Sequence, residues 1–257
     1  MRSVSRWRVR LPDPAFIALL TGAFLVAGMV KGVIGMGLPT VAMGVLGLVM
    51  LPTQAAALLV VPSLITNFWQ TFSGPCLTLL ARRFAIMLVG LTLGTPLGIW
   101  LFSELPPAIA TGALGAVLAV YGAFGLSGVN PSIKPVYESR LSPWMGFVTG
   151  IISGATGVFA IPAVPYLNSL DLGKDELIQA LGLMFIVSTV AMAVGLAAIG
   201  RFHLAVAGQS LVAVLPALIG MAAGQRVRHR LSPQAFKRGF FIGMLLLGLA
   251  MLAHTLF

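Results

Sequence analysis

Charged side chains are scarce in this chain: Asp, Glu, Lys and Arg make up 9% of its 257 residues. A soluble domain carries about 25% charged residues, so charge cannot cover the surface of this protein and its solvent must be largely lipid. Most stretches without these four residues reach the roughly 20 residues that a membrane-spanning helix needs; they run over 14–30, 32–81, 84–103, 105–133, 141–170, 177–200, 204–225 and 239–257. We therefore predict an all-α polytopic membrane protein in the cell membrane, with the lipid bilayer as a partner.

Acidic residues are absent from these apolar stretches, since all six Asp and Glu lie in connections or flanks. Many proton- or sodium-coupled carriers use a carboxylate inside the membrane. A cation-coupled mechanism would here depend on backbone carbonyls, on hydroxyl groups, or on titration of Lys31 or His203. The hypothesis that fits this absence best is facilitated movement of a small anionic substrate, with any proton carried by the substrate itself.

Groups that would support catalysis or metal binding are also missing. Cys76 is the single cysteine, which excludes an internal disulfide and a cysteine metal site. The apolar segments contain no Asp/His pair, no His-x-x-x-His spacing and no Ser–His–Asp set. We predict that the protein is not an enzyme and that it has no cofactor and no metal.

The formal net charge is +10, but the basic residues lie in short connections rather than in runs interleaved with exposed aromatic residues. This pattern is typical of loops that face anionic lipid, and it predicts no nucleic-acid partner. The basic tail 1–13 resembles the start of a signal peptide. Because the apolar segment after it belongs to an internal repeat, we interpret the tail as an uncleaved interfacial anchor.

Two copies of one unit make up the rest of the chain. VKGVIGMGLPTVA at 30–42 resembles ISGATGVFAIPAV at 152–164 when the copies are aligned 122 residues apart. We predict repeat 1 over 14–128, a polar connection over 129–143 and repeat 2 over 144–257. We expect the prolines of the connection to prevent a helix from continuing through it; they are Pro131, Pro135 and Pro143.

Each repeat has the same predicted order: an apolar helix, a Gly-rich break, a short helix and three longer helices. The predicted segments are 14–33, 39–51, 55–74, 84–103 and 107–128, then 144–156, 160–170, 176–197, 204–224 and 238–256. If the chain reverses at each break, there are ten helical elements and the repeats are inverted. If it passes straight through, there are eight spans and the repeats are parallel. The positive-inside rule slightly favours the inverted arrangement.

Glycines spaced by four residues occur near the end of each repeat, as Gly94 with Gly98 and as Gly220 with Gly224. Such pairs let two membrane helices approach closely. We interpret these four glycines as packing positions. The repeated breaks are different, because short Gly/Pro-interrupted segments at matching positions of two repeats indicate a transporter binding site.

The Gly-rich break with a following proline, its second copy, and the closing GxxxG…LxPP-type segments resemble the sulfite exporter TauE/SafE family. The likeness covers nearly the whole chain. The family has three successive glycines in each break, whereas this chain has Gly35 and Gly37 around a methionine and then only Gly157 before Val158 and Phe159. The resemblance implies export or uptake of sulfite, sulfonates, sulfoacetate or other small organic anions.

An anion inside a membrane protein needs a positive potential, and a helix N-terminus supplies it through unpaired N–H groups and the macrodipole. The helices that restart after the two breaks are expected to point such ends toward the membrane midplane. Glycine lets the backbone approach the anion, a hydroxyl adds a donor, and bulky side chains seal the site. We assign these substrate-binding roles to Gly35, Met36, Gly37, Thr40, Gly157, Val158 and Phe159.

Lys31 is the only charged residue inside an apolar segment. A lysine at the bilayer centre costs about 2.5–3.5 kcal/mol on insertion scales and is functional by default. It lies within one turn of the first break, so an anion or freed carbonyls would stabilise it there. The alternative is that its side chain reaches an interface. We favour the substrate-binding role.

Two polar pairs occupy matched positions in the middle of the third helix of each repeat. Thr66 and Asn67 align with Ser188 and Thr189 at the same offset of 122 residues. A single Ser or Thr in a membrane helix usually bonds its own i−4 carbonyl, but the duplication favours a shared cavity. Asn67 is the preferred member of the site because an amide is costlier to leave unpaired.

The residues therefore favour a secondary transporter of small anions that works by alternating access. The alternatives are an anion channel and a non-transporting accessory protein of the membrane. Saturation of the flux and counter-transport would separate a carrier from a channel. The repeats are compatible with an oligomer and do not require one.

Overall fold

A computed structural model describes residues 14–129, 131–228, 230 and 232–256, and these contain α-helices and no strands. The tail 1–13 lies outside the described residues. The helices of this part of the chain are α1 (Pro14–Ile34), α2 (Leu38–Leu46), α3 (Pro52–Phe72), α4 (Leu77–Arg83), α5 (Ala85–Ser103), α6 (Pro107–Leu126), α7 (Pro135–Thr156), α8 (Ala163–Ser169), α9 (Lys174–Ala198), α10 (Leu204–Val212), α11 (Val214–Val227) and α12 (Pro233–Leu256).

Seven helical segments of the described chain are long and apolar enough to cross a membrane. Large apolar side chains point away from the core: Trp69, Trp100 and Trp144 are 69%, 67% and 65% exposed. Aromatic surface of this extent favours contact with lipid over contact with water. The prediction of an all-α, multi-pass membrane protein is confirmed.

The connection between the two halves is shorter than predicted. Helix α7 begins at Pro135, not near residue 144, and it continues through Pro143. A proline at the first helical position is favourable, because its missing N–H would have no partner there. Pro143 deprives the carbonyl of Ser139 of its helical partner, but Ser139 is exposed. The expectation that a helix does not continue through these prolines is therefore wrong for Pro143.

Helices α1 and α11 pack along a seam of direct backbone contact. A Cβ added at Gly28 would overlap the carbonyl oxygen of Ala217, and one added at Gly220 would overlap that of Leu25. Gly224 has the same relation to Met29. Side chains cannot fit between helix backbones this close, so the seam requires glycine on both helices.

The second seam joins α5 to α7. A Cβ added at Gly94 or Gly98 would overlap a carbonyl of α7, and one added at Gly150 or Gly154 would overlap a carbonyl of α5. The interpretation of Gly94, Gly98 and the pair in α11 as packing positions agrees with this geometry. Gly154, which the sequence analysis placed in the predicted segment 144–156, is also a packing residue of this seam.

The first break reverses the direction of the chain. Phe16 and Leu19, near the start of α1, line one cavity together with Met50 and Gln54, which follow α2. Since α1 runs away from this cavity, α2 and the segment after it must run back toward it. The short α2 is thus antiparallel to α1.

The second break reverses the chain in the same way. Gly154, near the end of α7, shares a cavity with Pro52 and Arg201, whereas Asn168, near the end of α8, shares a cavity with Gly35. These two cavities lie at opposite ends of α1 and α3. Reversal at both breaks is what the ten-element alternative requires. The repeat boundaries, the inverted relation and the membrane orientation stay predictions.

The close packing of α1 against α11 predicts that Gly28→Ala destabilises the protein, whereas Gly22→Ala in the same helix does not. An added Cβ meets the Ala217 carbonyl at position 28, but no described atom of a neighbouring helix lies within 4 Å of it at position 22. We expect a loss of about 1–3 kcal/mol for Gly28→Ala from overpacking, and a gain of up to about 1 kcal/mol for the control from helix propensity. Thermal unfolding in detergent measures both. Equal stability of the two variants would contradict the seam.

Candidate functional site

Three glycines in the two breaks have left-handed backbone conformations. The φ angles are +86° at Gly35, +99° at Gly37 and +74° at Gly157, a region in which only glycine is unstrained. The Gly35 N–H donates to the Lys31 carbonyl over 2.7 Å, and the Gly157 N–H donates to the Ser153 carbonyl over 2.7 Å. The two breaks therefore end their helices in the same manner at positions 122 residues apart.

The first break follows a helix that is long enough to cross the membrane. Helix α1 has 21 residues, which give about 31 Å at 1.5 Å per residue, close to the full thickness of a hydrocarbon core. The midplane position expected for the N-terminus of α2 stays a prediction.

The N-terminus of α2 has fewer free donors than the sequence analysis assumed. Pro39 supplies no N–H, and the Val41 N–H already donates to the Gly37 carbonyl over 2.9 Å. Thr40 is buried beside them. Met36 contacts the Tyr121 hydroxyl, which donates to its sulfur over 3.9 Å.

The second break differs from its expected role. Helix α8 begins at Ala163 rather than directly after Phe159, and it has seven residues. Its first N–H, that of Ala163, donates to the Thr149 hydroxyl over 3.0 Å. Val158 and Phe159 are buried in the core. This helix end is satisfied from within the protein and presents no free N-terminus to an anion.

Lys31 is buried, with 4% of its surface exposed, and its ammonium group is bonded to α3. The Lys31 Nζ donates to the Thr66 hydroxyl over 3.2 Å and to the Asn67 Oδ1. No carboxylate of the described residues lies within salt-bridge distance of it. The side chain therefore does not reach an interface, and its charge has hydrogen-bond partners but no counter-ion.

The structure thus brings together three of the sequence-predicted site residues. The Thr66 hydroxyl already has hydrogen-bond partners, because it accepts from the Lys31 Nζ and donates to the Pro62 carbonyl over 2.8 Å. Two buried atoms beside this group have no partner among the described residues, namely the Ser63 Oγ and the Asn67 Nδ2. Sequence analysis missed Ser63, although its i, i+4 spacing from Asn67 places it on the same face of α3.

The matched pair in the second half does not join this cluster through hydrogen bonds. The Ser188 hydroxyl donates to the Met184 carbonyl over 2.9 Å, and the Thr189 hydroxyl donates to the Phe185 carbonyl over 2.6 Å. Both side chains are satisfied within α9. A shared polar cavity built from both pairs stays a prediction.

A basic vestibule opens in front of the first break. Gly35 and Met36 line a cavity of about 580 Å³ together with Lys174, Arg228 and Lys237, and Asp175 is the one acid in its lining. An adjoining cavity of about 280 Å³ shares Met36, Asn168 and Lys237 and adds Arg238. The clustered bases raise the local concentration of anions in such a cleft. Lys31 lies about one turn deeper than Gly35 along α1.

Three glutamines of the helices lie away from Lys31. Gln54 and Gln209 line a cavity of about 250 Å³ at the opposite end of α1. Gln179 ties α9 to the end of α3: its Nε2 donates to the carbonyls of Thr71 and Gly74 over 2.8 and 2.7 Å. These contacts give Gln179 a structural role.

No group of His, Cys, Asp and Glu able to hold a metal ion occurs among the described residues. The chemistry available at the Lys31 cluster is therefore that of a buried cation and neutral hydrogen-bond donors. Such a set has the chemistry to bind an anion.

The family model described as sulfite exporter TauE/SafE matches residues 20–251. No curated protein matches the chain, and no solved structure matches it.

The two cavities at opposite ends of α1 predict that two introduced cysteines are accessible from opposite sides of the membrane. In a Cys76→Ser background, Asn168→Cys lies in the basic vestibule and Gln209→Cys lies in the cavity at the other end. We expect a membrane-impermeant thiol reagent to label position 209 from outside intact cells and position 168 only after permeabilisation, because the positively charged end faces the cytoplasm. Labelling of both positions from one side would contradict this arrangement.

Proposed function

The chain belongs to the sulfite exporter TauE/SafE family of membrane transporters, and on that premise we propose that it is a secondary transporter of small anions. The proposed substrates are sulfur-containing anions such as sulfite and sulfonates, or small organic acids. The proposed mechanism is alternating access, in which the two halves move against each other around the region of the breaks. The observation that carries the proposal is the buried Lys31, whose charge has no counter-ion among the described residues.

The buried charge supports an anion as substrate. Burial of an ammonium group without a counter-ion is costly, and the hydrogen bonds to Thr66 and Asn67 offset only part of this cost. A negative ligand supplies the missing charge. The free energy of binding then includes a strong interaction that a neutral substrate would not gain.

The basic vestibule supports the same substrate charge from outside the cluster. An anion that enters the vestibule meets Lys174, Arg228 and Lys237 before it reaches the level of Lys31. The first break and Met36 lie between these two positions. This order of cationic groups favours a path on which an anion passes from a wet entrance to a buried site.

A carrier fits the contacts at Lys31 better than an open channel does. Lys31 is almost fully buried, and Asn67 and Ser63 are fully buried. A conducting pore requires a continuous wet path past its binding sites, whereas a carrier closes around its site between the two open states. We therefore expect saturable flux and counter-transport.

We expect Lys31→Met to weaken anion binding by at least about tenfold, because a hydrogen bond to a charged group contributes about 1.5–3 kcal/mol. Uptake into proteoliposomes, screened with sulfite, sulfonates and small carboxylates, measures this change. The matched control is Lys134→Met, which removes an exposed lysine outside the vestibule. Unchanged affinity in Lys31→Met would remove Lys31 from the site.

We also expect transport to continue without a sodium gradient. The apolar segments contain no carboxylate to hold a cation, and no group of three or more His, Cys, Asp and Glu that could hold a metal ion occurs among the described residues. Uptake into proteoliposomes with and without an imposed sodium gradient tests this expectation. Uptake that occurs only with the gradient would contradict facilitated anion movement.

A further inference from the structure

Two buried polar atoms on α3 lack the partners that their environment demands. Ser63 and Asn67 are fully buried, yet the Ser63 Oγ and the Asn67 Nδ2 bond to no described atom. A buried group without a hydrogen bond loses its hydration and gains nothing in return. Native structures rarely keep such groups unless a ligand, an ion or a water fills the gap.

The orientation of the Asn67 amide follows from the chemistry of Lys31. An ammonium group has donors only, so the amide must turn its Oδ1 toward the Lys31 Nζ, as the structure has it. The Nδ2, with two N–H donors, is then the amide atom that Lys31 does not engage. Asn67 therefore holds the cation with one atom and keeps a free donor on the other.

Ser63 differs from the other buried hydroxyls of the spanning helices. Thr95, Ser188 and Thr189 each donate to the carbonyl four residues earlier in their own helix, which is the usual arrangement in membranes. Ser63 makes no such bond. The carbonyl that Pro62 leaves free, that of Leu58, is taken by Ser210 over 2.6 Å, so it does not engage Ser63 either.

We propose that Ser63 and the Asn67 amide, with Lys31, form the contact set for one bound oxyanion, and that Ser63 determines selectivity for oxyanions over halides. The proposal rests on the anion transport proposed above. Residues 63 and 67 lie one turn apart on one face of α3, and Lys31 reaches that face from α1. The Ser63 O–H, an Asn67 N–H and the Lys31 ammonium supply three donors for separate oxygen atoms of a sulfite, sulfonate or carboxylate.

Halides gain less from these contacts. A halide is a single sphere that binds chiefly to the charge of Lys31, whereas an oxyanion has several acceptor oxygens for directional donors. Loss of the Ser63 hydroxyl should therefore affect the two classes of anion unequally. Loss of the Lys31 charge should affect both classes.

The test uses the full chain in proteoliposomes with sulfite and methanesulfonate as substrates and chloride and bromide as competitors. We expect Ser63→Ala to raise the KM for the oxyanions about tenfold, from the loss of one charge-assisted hydrogen bond, and to change halide inhibition less than twofold. Thr95→Val is the matched control, because the buried Thr95 hydroxyl already donates to the Leu91 carbonyl within α5. We expect less than a twofold change in that variant.

Thermal unfolding supplies a readout that a purely structural serine would not produce. Since the Ser63 hydroxyl has no partner among the described residues, Ser63→Ala should leave the Tm measured without ligand unchanged or raise it. The same variant should reduce the rise in Tm that sulfite causes. A fall of the ligand-free Tm together with an unchanged sulfite-induced shift would overturn the proposal.

A second variant tests the role of the Asn67 amide. Asn67→Asp keeps an acceptor for Lys31 but removes the Nδ2 donor and neutralises the site, so we expect loss of sulfite transport with the protein still folded. Transport at the wild-type KM in either Ser63→Ala or Asn67→Asp would overturn the assignment while the transport function stands. A wild-type protein that moves none of the tested anions would instead overturn the proposed function.

Discussion

Lipid offers no hydrogen-bond partner, so every polar group inside this protein must find its partner within the chain. Helix α3 illustrates the constraint. Pro62 breaks its hydrogen-bond ladder, and Ser210 of α10 repairs the gap: its hydroxyl donates to the Leu58 carbonyl over 2.6 Å and accepts from the Val61 N–H over 3.2 Å. The backbone groups beside Pro62 of α3 thereby bind α10.

The same constraint explains why two buried donors stand out. Side chains form hydrogen bonds with the irregular backbone near α3 and α8. They are those of Ser210, Gln179 and Thr149. A chain that satisfies its polar groups this thoroughly leaves the Ser63 hydroxyl and the Asn67 Nδ2 unpaired beside a buried cation. In a membrane transporter, unpaired donors grouped at one place are suited to bind a substrate.

The helical class, the breaks and the cluster of Lys31 with Asn67 could be predicted from the sequence, because each depends on local composition or on a repeated pattern. The roles of Gly154 and Ser188 could not. Both lie in motifs that repeat, but whether a glycine packs or breaks a helix depends on the facing helix, and whether a hydroxyl is free depends on its rotamer. Ser63 was missed because a lone serine in an apolar helix carries no signal by itself.

The two breaks share their backbone geometry but not their chemistry, and this inequality bears on how a carrier would work. The position of Lys31 is taken in the second half by Ser153, whose hydroxyl donates to the Thr149 carbonyl over 2.6 Å. The first half thus holds a cation that needs an anion, and the second half is satisfied without one. An anion bound to α1 and α3 would change the electrostatics of the first half alone. In the proposed mechanism, the electrostatic change on substrate binding then arises beside the first break, while Ser153 at the second break keeps its internal hydrogen bond.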